Sequence, residues 1–387
     1  MMLLAILAAI GVTASLIYYI VATITAIRFA RRSAQPPRAL PKIAPRVAVL
    51  KPLRGRNQSL AANLTSYLES DYPRTEFYFA VSDYEDPAAE LPVALRTEYK
   101  FAPITMIVGE APDCINRKVG KLIQMAERAT RAEIFVLSDA DIAVPRDHLR
   151  RLISELTADD KVGIVTCVYR AQPLGSFGSR LEASFVNTDF APQVMLAAAI
   201  EPVRYAFGAT IAIKREALEA IGGFKRLKDV LADDYYLGKL VSEAGYEVRL
   251  SSSLVTTACG DERFRDFWQR QIRWARTFRT TRPASLATIF VHGPVWGLLF
   301  FVASRFSLLG LTTLTTVLIA RIAMAYFITR RILGLSDVAR DAWLAPLKDL
   351  IMTAIWFVSL ASNEVEWSGR RLLILPDGRM SEIRCLK

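Results

Sequence analysis

The amino-terminal segment constrains the fold of this chain more than any other part of the sequence. No charged residue occurs between positions 3 and 27, and arginines follow at positions 28, 31 and 32. A helix that crosses the hydrocarbon core of a bilayer needs about 20 apolar residues, whereas a cleaved signal peptide has its basic residues before a shorter apolar segment. We therefore expect residues 1–32 to form a permanent transmembrane anchor. Because basic residues favour the cytoplasmic side, the chain after the anchor is expected in the cytoplasm.

Apolar sequence returns near the carboxyl terminus, and residues 284–362 predict C-terminal membrane helices. Segments 284–304 and 306–329 are long enough to cross a bilayer, and a weaker third segment follows. Arg321 interrupts the second segment, so we expect it to face a partner helix or a polar cavity instead of lipid. If the third segment also crosses, the basic tail 363–387 lies outside, against the positive-inside tendency. A re-entrant or interfacial third segment is the alternative.

The distribution of charge argues against a nucleic-acid partner. The 49 Lys and Arg residues outnumber the 38 Asp and Glu residues, which gives a net charge of +11. Residues 1–46 carry six basic and no acidic side chains, whereas residues 47–260 carry 25 basic and 28 acidic ones. The excess therefore lies beside the predicted membrane segments, as suits attraction to anionic lipid. With 52% hydrophobic and 22% charged residues, the chain predicts an integral membrane protein that also has a water-soluble domain.

Cysteine and histidine are scarce, which excludes two kinds of metal site. The four cysteines include no CxxC pair, and the chain has only two histidines. Zinc-finger spacing and an all-histidine metal site are therefore excluded. Isolated thiols in a chain of this size fit a reducing compartment.

The middle of the chain predicts an α/β domain at residues 47–260. Four prolines make residues 33–46 a stiff linker to the anchor. Short β-rich segments then alternate with helical periodicity, which is typical of a predominantly parallel sheet covered by helices. The predicted strands are 47–50, 77–82, 104–108, 134–138, 162–168 and 206–213, and the predicted helices are 60–69, 118–129, 148–156 and 235–244. No Walker loop and no GxGxxG follows the early strands, so phosphates must be held in another way.

Two carboxylates follow a predicted buried strand. Ile134-Phe-Val-Leu-Ser runs directly into Asp139 and Asp141. Residues i and i+2 of an extended backbone point the same way, so both can face one cation at the carboxyl edge of the sheet, where open α/β folds bind ligands. Oxygen ligands suit Mg²⁺ or Mn²⁺, which can bridge a diphosphate. A solvated turn is the alternative, since Asp-x-Asp is expected about once by chance in such a chain.

Two other acidic pairs are candidates for chemistry. Asp233 and Asp234 lie just before a predicted helix, where one can cap the helix while the other acts as a general base. Asp83 and Asp86 follow a predicted strand and can bind the base and ribose of a nucleotide. The alternative for this second pair is an ordinary turn.

Residues 261–283 predict an amphipathic helix at the membrane interface. Apolar residues recur at helical spacing, arginines cover much of the remaining surface, and the segment precedes the first C-terminal apolar stretch. Arg270, Arg273 and Trp274 share one face of this helix. The two guanidinium groups can clamp a diphosphate, and the indole can pack on an acceptor. Attraction to anionic headgroups is the alternative for the arginines.

These motifs, in this order, resemble the membrane-bound GT-A glycosyltransferases, and specifically the ceramide glucosyltransferase family with its bacterial relatives. The matching motifs are Leu50-Lys-Pro-Leu-Arg-Gly55, Asp83-Tyr-Glu-Asp86-Pro, Asn116-Arg-Lys118, Ser138-Asp139-Ala-Asp141, Asp233-Asp234-Tyr and Arg270-Gln-Ile-Arg273-Trp274. The resemblance implies a GT-A nucleotide-sugar-binding domain with N-terminal and C-terminal transmembrane helices. It further implies an integral protein of a bacterial inner membrane with a cytoplasmic catalytic domain.

The resemblance also implies a role for each motif. The expected nucleotide-sugar-binding residues are Asp83, Asp86, Asn116 and Lys118; the expected metal ligands are Asp139 and Asp141; the expected catalytic base is Asp234; and the expected diphosphate or acceptor contacts are Asp233, Arg270, Arg273 and Trp274. The implied reaction is inverting. A lipid hydroxyl that has lost its proton to Asp234 attacks the anomeric carbon of a UDP-sugar.

The substrates implied most simply are UDP-glucose and ceramide. The sequences around Tyr169 and Asp234 are at least as similar to bacterial hopanoid-biosynthesis glycosyltransferases, which would use UDP-N-acetylglucosamine and a hopanoid polyol. A processive polysaccharide synthase shares the carboxylates but usually has more membrane helices. From a different class, a membrane-anchored nucleotide-binding or scaffold protein without catalysis is the alternative.

Overall fold

The computed structural model describes residues 1–261, 263–367 and 369–383, so Glu262 of the predicted interfacial helix and residues 384–387 of the predicted tail lie outside the described residues. The strands are β1 (Val47–Pro52), β2 (Thr75–Val81), β3 (Ile104–Val108), β4 (Ile134–Ser138), β5 (Ile142–Ala143), β6 (Val162–Pro173), β7 (Thr210–Lys214), β8 (Glu247–Cys259), β9 (Glu364–Trp367), β10 (Arg370–Ile374) and β11 (Met380–Glu382).

The α-helices are α1 (Met2–Ser33), α2 (Leu60–Leu68), α3 (Glu90–Glu98), α4 (Arg117–Arg128), α5 (His148–Leu156), α6 (Phe177–Phe185), α7 (Ala191–Ile200), α8 (Arg215–Ala220), α9 (Asp233–Glu243), α10 (Phe264–Thr281), α11 (Gly293–Ala303), α12 (Leu308–Phe327) and α13 (Leu344–Leu360). Two π-helical turns, Val186–Phe190 and Ile328–Ile332, and 3₁₀ segments that include Pro283–Val291 and Val338–Trp343 connect them.

The central sheet has eight strands in the order β3-β2-β1-β4-β7-β6-β8-β5. Strands β3, β2, β1 and β4 are parallel, as predicted. However, β7 runs antiparallel to both of its neighbours, β4 and β6. Strands β6 and β8 pair in parallel with each other and run in the same direction as β4, whereas β5 is antiparallel to β8. Six of the eight strands therefore share one direction, and the prediction of a predominantly parallel sheet is confirmed. Two helices, α6 and α7, connect β6 to β7. A single crossover helix would have placed β7 parallel to β6.

The long strand β8 has no counterpart among the predicted strands. Its middle consists of Ser251, Ser252 and Ser253, which interrupt the apolar pattern of a buried strand. All three are buried, and polar side chains of α5 pair with two of them, Ser252 and Ser253. The Nδ1 atom of His148 lies 2.8 Å from the Ser253 hydroxyl, and a carboxylate oxygen of Glu155 accepts from the Ser252 backbone N–H at 3.0 Å. Hydrogen bonds from α5 thus satisfy polar groups of β8 that have no partner in the neighbouring sequence.

The core of the sheet places the predicted carboxylates at one edge. Strand β4 is buried along its whole length and β1 along all but its last residue, because helices cover both faces of the sheet. Their side chains are therefore mostly apolar instead of alternating, and the polar exceptions, Lys51 and Ser138, lie near the carboxyl ends of the two strands. Asp139 and Asp141 follow the carboxyl end of β4. Both carboxylates therefore lie at the carboxyl ends of the parallel strands, which is where open α/β sheets bind ligands.

Three described segments are long and apolar enough to cross a membrane, namely Met2–Ser33, Leu308–Ile332 and Val338–Leu360. A fourth candidate consists of Pro283–Val291 and Gly293–Ala303, which are bent by 63° at the residue between them. The anchor packs tightly on α11, since a Cβ atom on Gly11 would lie only 2.1 Å from the ring of Trp296. The predicted apolar helices at both ends of the chain are therefore present, and they pack together.

Helix α13 returns to the central domain at both of its ends. Before it begins, Asp341 forms an ion pair with Arg180 of α6 at 2.5 Å. After it ends, Arg279 of α10 donates to the Ser362 carbonyl at 3.1 Å. The tail then forms a separate antiparallel sheet of β9, β10 and β11. Residues 344–360 therefore do not carry the tail away from the domain that bears the carboxylates. Whether this segment crosses a membrane stays a prediction.

Arg321 is completely buried among charged partners, as predicted for an arginine within an apolar segment. It donates to both carboxylate oxygens of Asp349, at 2.8 and 2.9 Å, and it also pairs with Asp189. Lys348 pairs with both aspartates. Two cations thus balance two anions, whereas an unpaired buried ion would cost several kcal/mol. This four-charge cluster (Asp189, Arg321, Lys348 and Asp349) joins α12 and α13 to the π-helical turn that follows α6.

Removal of one member should destabilise the protein strongly. We expect Arg321→Leu to lower the free energy of unfolding by about 3–5 kcal/mol, because it leaves a buried negative charge without its partner. The double variant R321L/D349L, which restores the charge balance, should be less damaging. Thermal unfolding in detergent measures both effects. Arg331→Leu, at an exposed position in the same helical segment, is the control, and equal stability of the Arg321 and Arg331 variants would contradict the role of the cluster.

Candidate active site

Four predicted carboxylates meet at the carboxyl edge of the parallel strands. Asp139 and Asp141 follow β4, while Asp233 and Asp234 form the first turn of α9. A Cβ atom on Gly208 would lie 3.2 Å from Asp234 Oδ2 and 3.3 Å from Asp139 Oδ2. Gly208 therefore allows carboxylates from two distant segments to approach each other, and a larger residue there would fill the space between them.

Lys118 is the cation at the centre of this group. Its Nζ atom lies 2.7 Å from Asp139 and 3.3 Å from Asp233. Burial alone would lower the pKa of Lys118, but the neighbouring carboxylates, Asp139 first, outweigh burial and raise it. Lys118 therefore stays charged and partly neutralises the acidic cluster. Its place in the first turn of α4 is fixed by Asn116, whose side-chain oxygen caps the helix by accepting from the Val119 N–H at 3.2 Å.

Asp234 is held by backbone groups and has an unusual pKa. Its Oδ2 atom accepts from the Gly208 N–H at 2.7 Å, and its Oδ1 atom accepts from the Tyr235 N–H at 2.8 Å. Burial, followed by the nearby charge of Asp233, raises the pKa of Asp234 to about 6. The N-cap of α9 is Ala232, and no side-chain cap bond is formed there. The capping alternative is thus not observed, and a fixed carboxylate that titrates near neutral pH suits a general base.

Asp141 completes an oxygen-rich pair with Asp139. Its Oδ2 atom accepts from the Thr257 hydroxyl at 2.9 Å, and burial, followed by the charge of Asp139, raises the pKa of Asp141. The Asp139 side chain is 39% exposed and faces the cavity. Two mutually repelling carboxylates with oxygen atoms toward a cavity have the donor chemistry that Mg²⁺ or Mn²⁺ prefers. The residues present therefore fit a divalent cation.

A second possible metal group is already neutralised by protein cations. Ligand atoms of Asp189, His292 and Asp349 lie within 4.8 Å of one another. Both of these carboxylates, however, pair with Arg321 and Lys348 in the four-charge cluster. A metal ion there would have to displace two buried cations. The donor set at Asp139 and Asp141 is therefore the better candidate.

Helix α10 contributes the basic side of the site. Arg270, Arg273 and Trp274 all face the same cavity as the carboxylates. Burial, followed by the adjacent charge of Arg270, lowers the pKa of Arg273 to about 10, at which it is still a cation at neutral pH. Glu182 of α6 lies 3.7 Å from Arg270. The predicted common face of the three α10 residues is confirmed by their position.

The cavity connects the polar cluster with the apolar helices. It encloses about 890 Å³, within the range typical of ligand sites. Eight of the eleven predicted site residues line it: Lys118, Asp139, Asp141, Asp233, Asp234, Arg270, Arg273 and Trp274. Its other walls include residues from the 3₁₀ segment before α11 and from α13, namely Leu286, Thr288, Met352, Ile355 and Trp356. One continuous space thus joins charged and apolar walls.

Among the described residues, three predicted nucleotide contacts do not line this cavity. Asp86 uses one oxygen to accept from the backbone N–H groups of Gly55 and Ala88, at 2.8 and 2.9 Å. Asp83 is exposed nearby. Asn116 is completely buried and also donates to the Val230 carbonyl at 2.9 Å. Their contacts hold loops and helix ends in place, and a role in nucleotide binding stays a prediction for all three.

Glu182 and Tyr169 of the cavity wall lie beside the predicted site residues but were not predicted to belong to the site. Glu182 is buried, and one of its oxygens accepts from the Gln271 side chain at 3.0 Å. Tyr169 lies near Glu182 and three of the site carboxylates, and burial, followed by the charge of Glu182, raises the pKa of its phenol. A lone acid within the apolar sequence Leu181-Glu-Ala-Ser-Phe185 was the available signal for Glu182. No comparable local signal existed for Tyr169.

The strand order and the arrangement of the helices around it define a GT-A-like fold. A mannosyltransferase from Pyrobaculum calidifontis, solved in complex with GDP-Man and Mn²⁺, is similar in fold, with a TM-score of 0.50, 21% identity, and coverage of 91% of this chain and 99% of the other. The chain belongs to glycosyl transferase family 21, whose family profile matches residues 6–380.

Two curated relatives are enzymes of Caenorhabditis elegans. Ceramide glucosyltransferase 3 is 23% identical and ceramide glucosyltransferase 1 is 25% identical, each over 232 residues and 60% of this chain. These matches cover 50% and 49% of the relatives. The chain thus spans about half the length of the curated relatives that it matches. A probable glycosyltransferase of Bacillus subtilis, YdaM, is 23% identical over 241 residues, which are 60% of this chain and 55% of that protein.

The position of Lys118 predicts a pH-dependent loss of stability in Lys118→Met. Without the ammonium group, the carboxylates repel one another, so their folded-state pKa values rise above those of the unfolded chain. The resulting penalty is complete at pH 8 and is relieved as the pH falls through the raised values. Relative to wild type, the melting temperature should therefore fall more at pH 8 than at pH 5. Lys239→Met, which removes an exposed lysine of α9, should show no such dependence, and parallel curves for the two variants would refute this explanation.

Proposed function

We propose that this protein is an inverting glycosyltransferase that transfers a sugar from a UDP-sugar to the hydroxyl group of a membrane lipid. The observation that carries the proposal is the single cavity with Asp139 and Asp234 in one part of its wall and Met352 and Trp356 of α13 in another. A nucleotide sugar needs cations and a charged environment, whereas a lipid needs apolar contacts. A site for both substrates must combine these walls, as this cavity does.

The donor would bind at the carboxylate edge of the sheet. A divalent cation, Mg²⁺ or Mn²⁺, held there by Asp139 and Asp141 would supply neutralisation of the diphosphate charge. Arg273 is half-buried and lines the cavity beside Arg270, so both guanidinium groups would hold phosphate oxygens by charge-assisted hydrogen bonds. Their charge would also stabilise the diphosphate as it leaves.

Asp234 would accept the proton of the acceptor hydroxyl. Its two backbone hydrogen bonds fix the carboxylate, and its raised pKa makes it a stronger base than an ordinary aspartate. As the O–H bond breaks, the hydroxyl oxygen forms a bond to the anomeric carbon and the bond from that carbon to the diphosphate breaks. Attack from the side opposite the leaving group inverts the configuration. Asp233, bound to Lys118, would contribute to holding this end of the site.

The membrane arrangement that we propose follows from the ends of the helices. Helix α1 would cross the bilayer, and the bent segment 283–303 and α12 would cross as a hairpin, because the Arg170 side chain beside the central sheet donates to the Leu333 carbonyl just after α12. Helix α13 would lie in the interface, since both of its ends contact the central domain. The arginines after α1 favour a cytoplasmic site, and a bacterial inner membrane is the corresponding location.

As the specific substrates, we propose UDP-glucose as the sugar donor and ceramide as the acceptor. The similarity to two ceramide glucosyltransferases supports this choice. Purified protein should be given UDP-glucose or UDP-N-acetylglucosamine with ceramide or a hopanoid polyol, and the lipid products should be identified by mass spectrometry. Glucosylceramide is the expected product. A product only with UDP-N-acetylglucosamine and the hopanoid would replace these substrates, and no lipid product with any pair would overturn the proposed function.

The base assignment predicts a separation of binding from turnover. Asp234→Asn should lower kcat by about 10²–10⁴-fold, because it removes the proton acceptor, while the affinity for UDP changes little. Wild-type kcat should fall about tenfold per pH unit below pH 6, since the protonated carboxylate cannot act as a base. Glu243→Gln, which changes an exposed acid on the same helix, is the matched control. Turnover by Asp234→Asn at the control rate would refute the assignment.

A further inference from the structure

The C-terminal sheet (β9, β10 and β11) lies against the segment that leads into the acidic pair of α9. The Met380 N–H donates to the Asp229 carbonyl at 2.7 Å, and the Leu231 N–H donates to the Gly378 carbonyl at 3.4 Å. Val230 and Arg379 form an antiparallel bridge between these contacts. Residues 228–234, which we call the catalytic segment, thus pair through Val230 and its neighbours with a part of the chain almost 150 positions away.

Apolar packing reinforces this pairing. Leu231 of the catalytic segment packs in one buried cluster with four residues of the C-terminal sheet, Val365, Leu372, Ile374 and Met380. The cluster also includes Ile115 and Trp367 as partly buried members. Leu231 and Trp367 both reach the wall of the active-site cavity. The sheet is therefore part of the structure that shapes the site, and not a separate appendage.

The opposite side of the catalytic segment is held by Asn116. Its backbone N–H donates to the Lys228 carbonyl at 2.8 Å, and its side chain donates to the Val230 carbonyl at 2.9 Å. Asn116 also caps α4, the helix that carries Lys118. The part of the catalytic segment directly before Asp233 is consequently enclosed between Asn116 on one side and the C-terminal sheet on the other.

The same sheet also contacts the other two segments that supply site residues. Arg370 donates to the Ile115 carbonyl at 2.6 Å, next to the cap of α4. Arg276 and Arg279 of α10 donate to the Glu364 and Ser362 carbonyls at the start of β9. The sheet therefore links the segments that bear Lys118, Asp234 and Arg273.

We propose that the C-terminal sheet is a positioning element of the active site, which fixes the catalytic segment, and with it Asp234, relative to Lys118 and the arginines of α10. The inference rests on the proposed function for its effect on turnover. Its physical basis is that transfer requires the base, the acceptor and the donor in one geometry, and a misplacement of about 1 Å can cost about 10²-fold in rate. Since the segment has partners on two sides, loss of one side should loosen it without emptying the core of the domain.

Two glycines of the sheet provide a matched test. Gly378 and Gly369 both have positive φ, at +81° and +76°, so alanine causes similar backbone strain at each. A Cβ atom on Gly378 would lie 1.9 Å from the hydroxyl of Tyr236, whereas a Cβ atom on Gly369 meets nothing within 4 Å. Tyr236 belongs to α9, two residues after Asp234. Gly378→Ala must therefore displace either the tyrosine or the turn of the sheet.

Gly378→Ala should lower kcat ten- to a hundredfold with UDP affinity within twofold of wild type, while Gly369→Ala stays within twofold in both. Hydrogen exchange at the Leu231 amide should accelerate at least tenfold in Gly378→Ala only. The double variant Y236A/G378A, which frees the occupied space, should recover most of the loss. Equal kcat and equal exchange in the two glycine variants would overturn the inference.

A second pair of variants tests the positioning role of the sheet if Gly378→Ala does not accumulate in membranes. Arg370→Ala removes the contact with Ile115 together with an ion pair to Glu382 inside the sheet, whereas Arg371→Ala removes only an exposed pair with Glu364 inside the sheet. The first should weaken UDP binding at least fivefold and the second less than twofold, and equal affinities would contradict a positioning role. Hydrogen exchange and UDP binding need no turnover. A wild-type protein that transfers no sugar would thus refute the proposed function and still leave the positioning role testable.

Discussion

The four-charge cluster is the buried interaction that joins the apolar helices α12 and α13 to the central domain. Arg321 and Lys348 come from helices that would otherwise be apolar, and Asp189 comes from the π-helical turn after α6. In a low-dielectric environment none of these charges is tolerable alone. The helices must therefore dock where the complementary charge is supplied. This requirement fixes α13 beside α6 and α10, which in turn places the apolar wall of the cavity next to its carboxylates.

Opposite charges also organise the site itself. Asp139 and Asp233 arrive from segments nearly a hundred positions apart and are held together by Lys118. Asp234, beside them, receives two backbone hydrogen bonds and keeps a pKa near 6. The carboxylates around Lys118 repel one another, and carboxylates with perturbed pKa values are typical of functional sites. The C-terminal sheet and Asn116 restrain the catalytic segment against that repulsion.

Much of this arrangement could be predicted because its signals are local. The strand that ends in Asp139 and Asp141 is apolar, continuous and short, and the helix with Arg270 and Arg273 is amphipathic. Other features could not be predicted from local sequence. Asn116 resembles a ligand contact but is buried as a cap, and the serines of β8 look like loop residues until α5 covers them. The tail carries no motif, so its sheet and its contact with the catalytic segment were not expected.

The sequence by itself determined the membrane segments, the α/β class and the carboxylate motifs, because hydropathy and periodicity act over short distances and need no partner. Tertiary structure alone decided that Arg321 is neutralised by Asp189 and Asp349, that α13 returns to the central domain, and that Gly378 meets Tyr236. Each of these outcomes depends on pairing between residues far apart in the chain. Burial, charge balance and the available space in the folded chain determine such pairing, and no local sequence pattern predicts it.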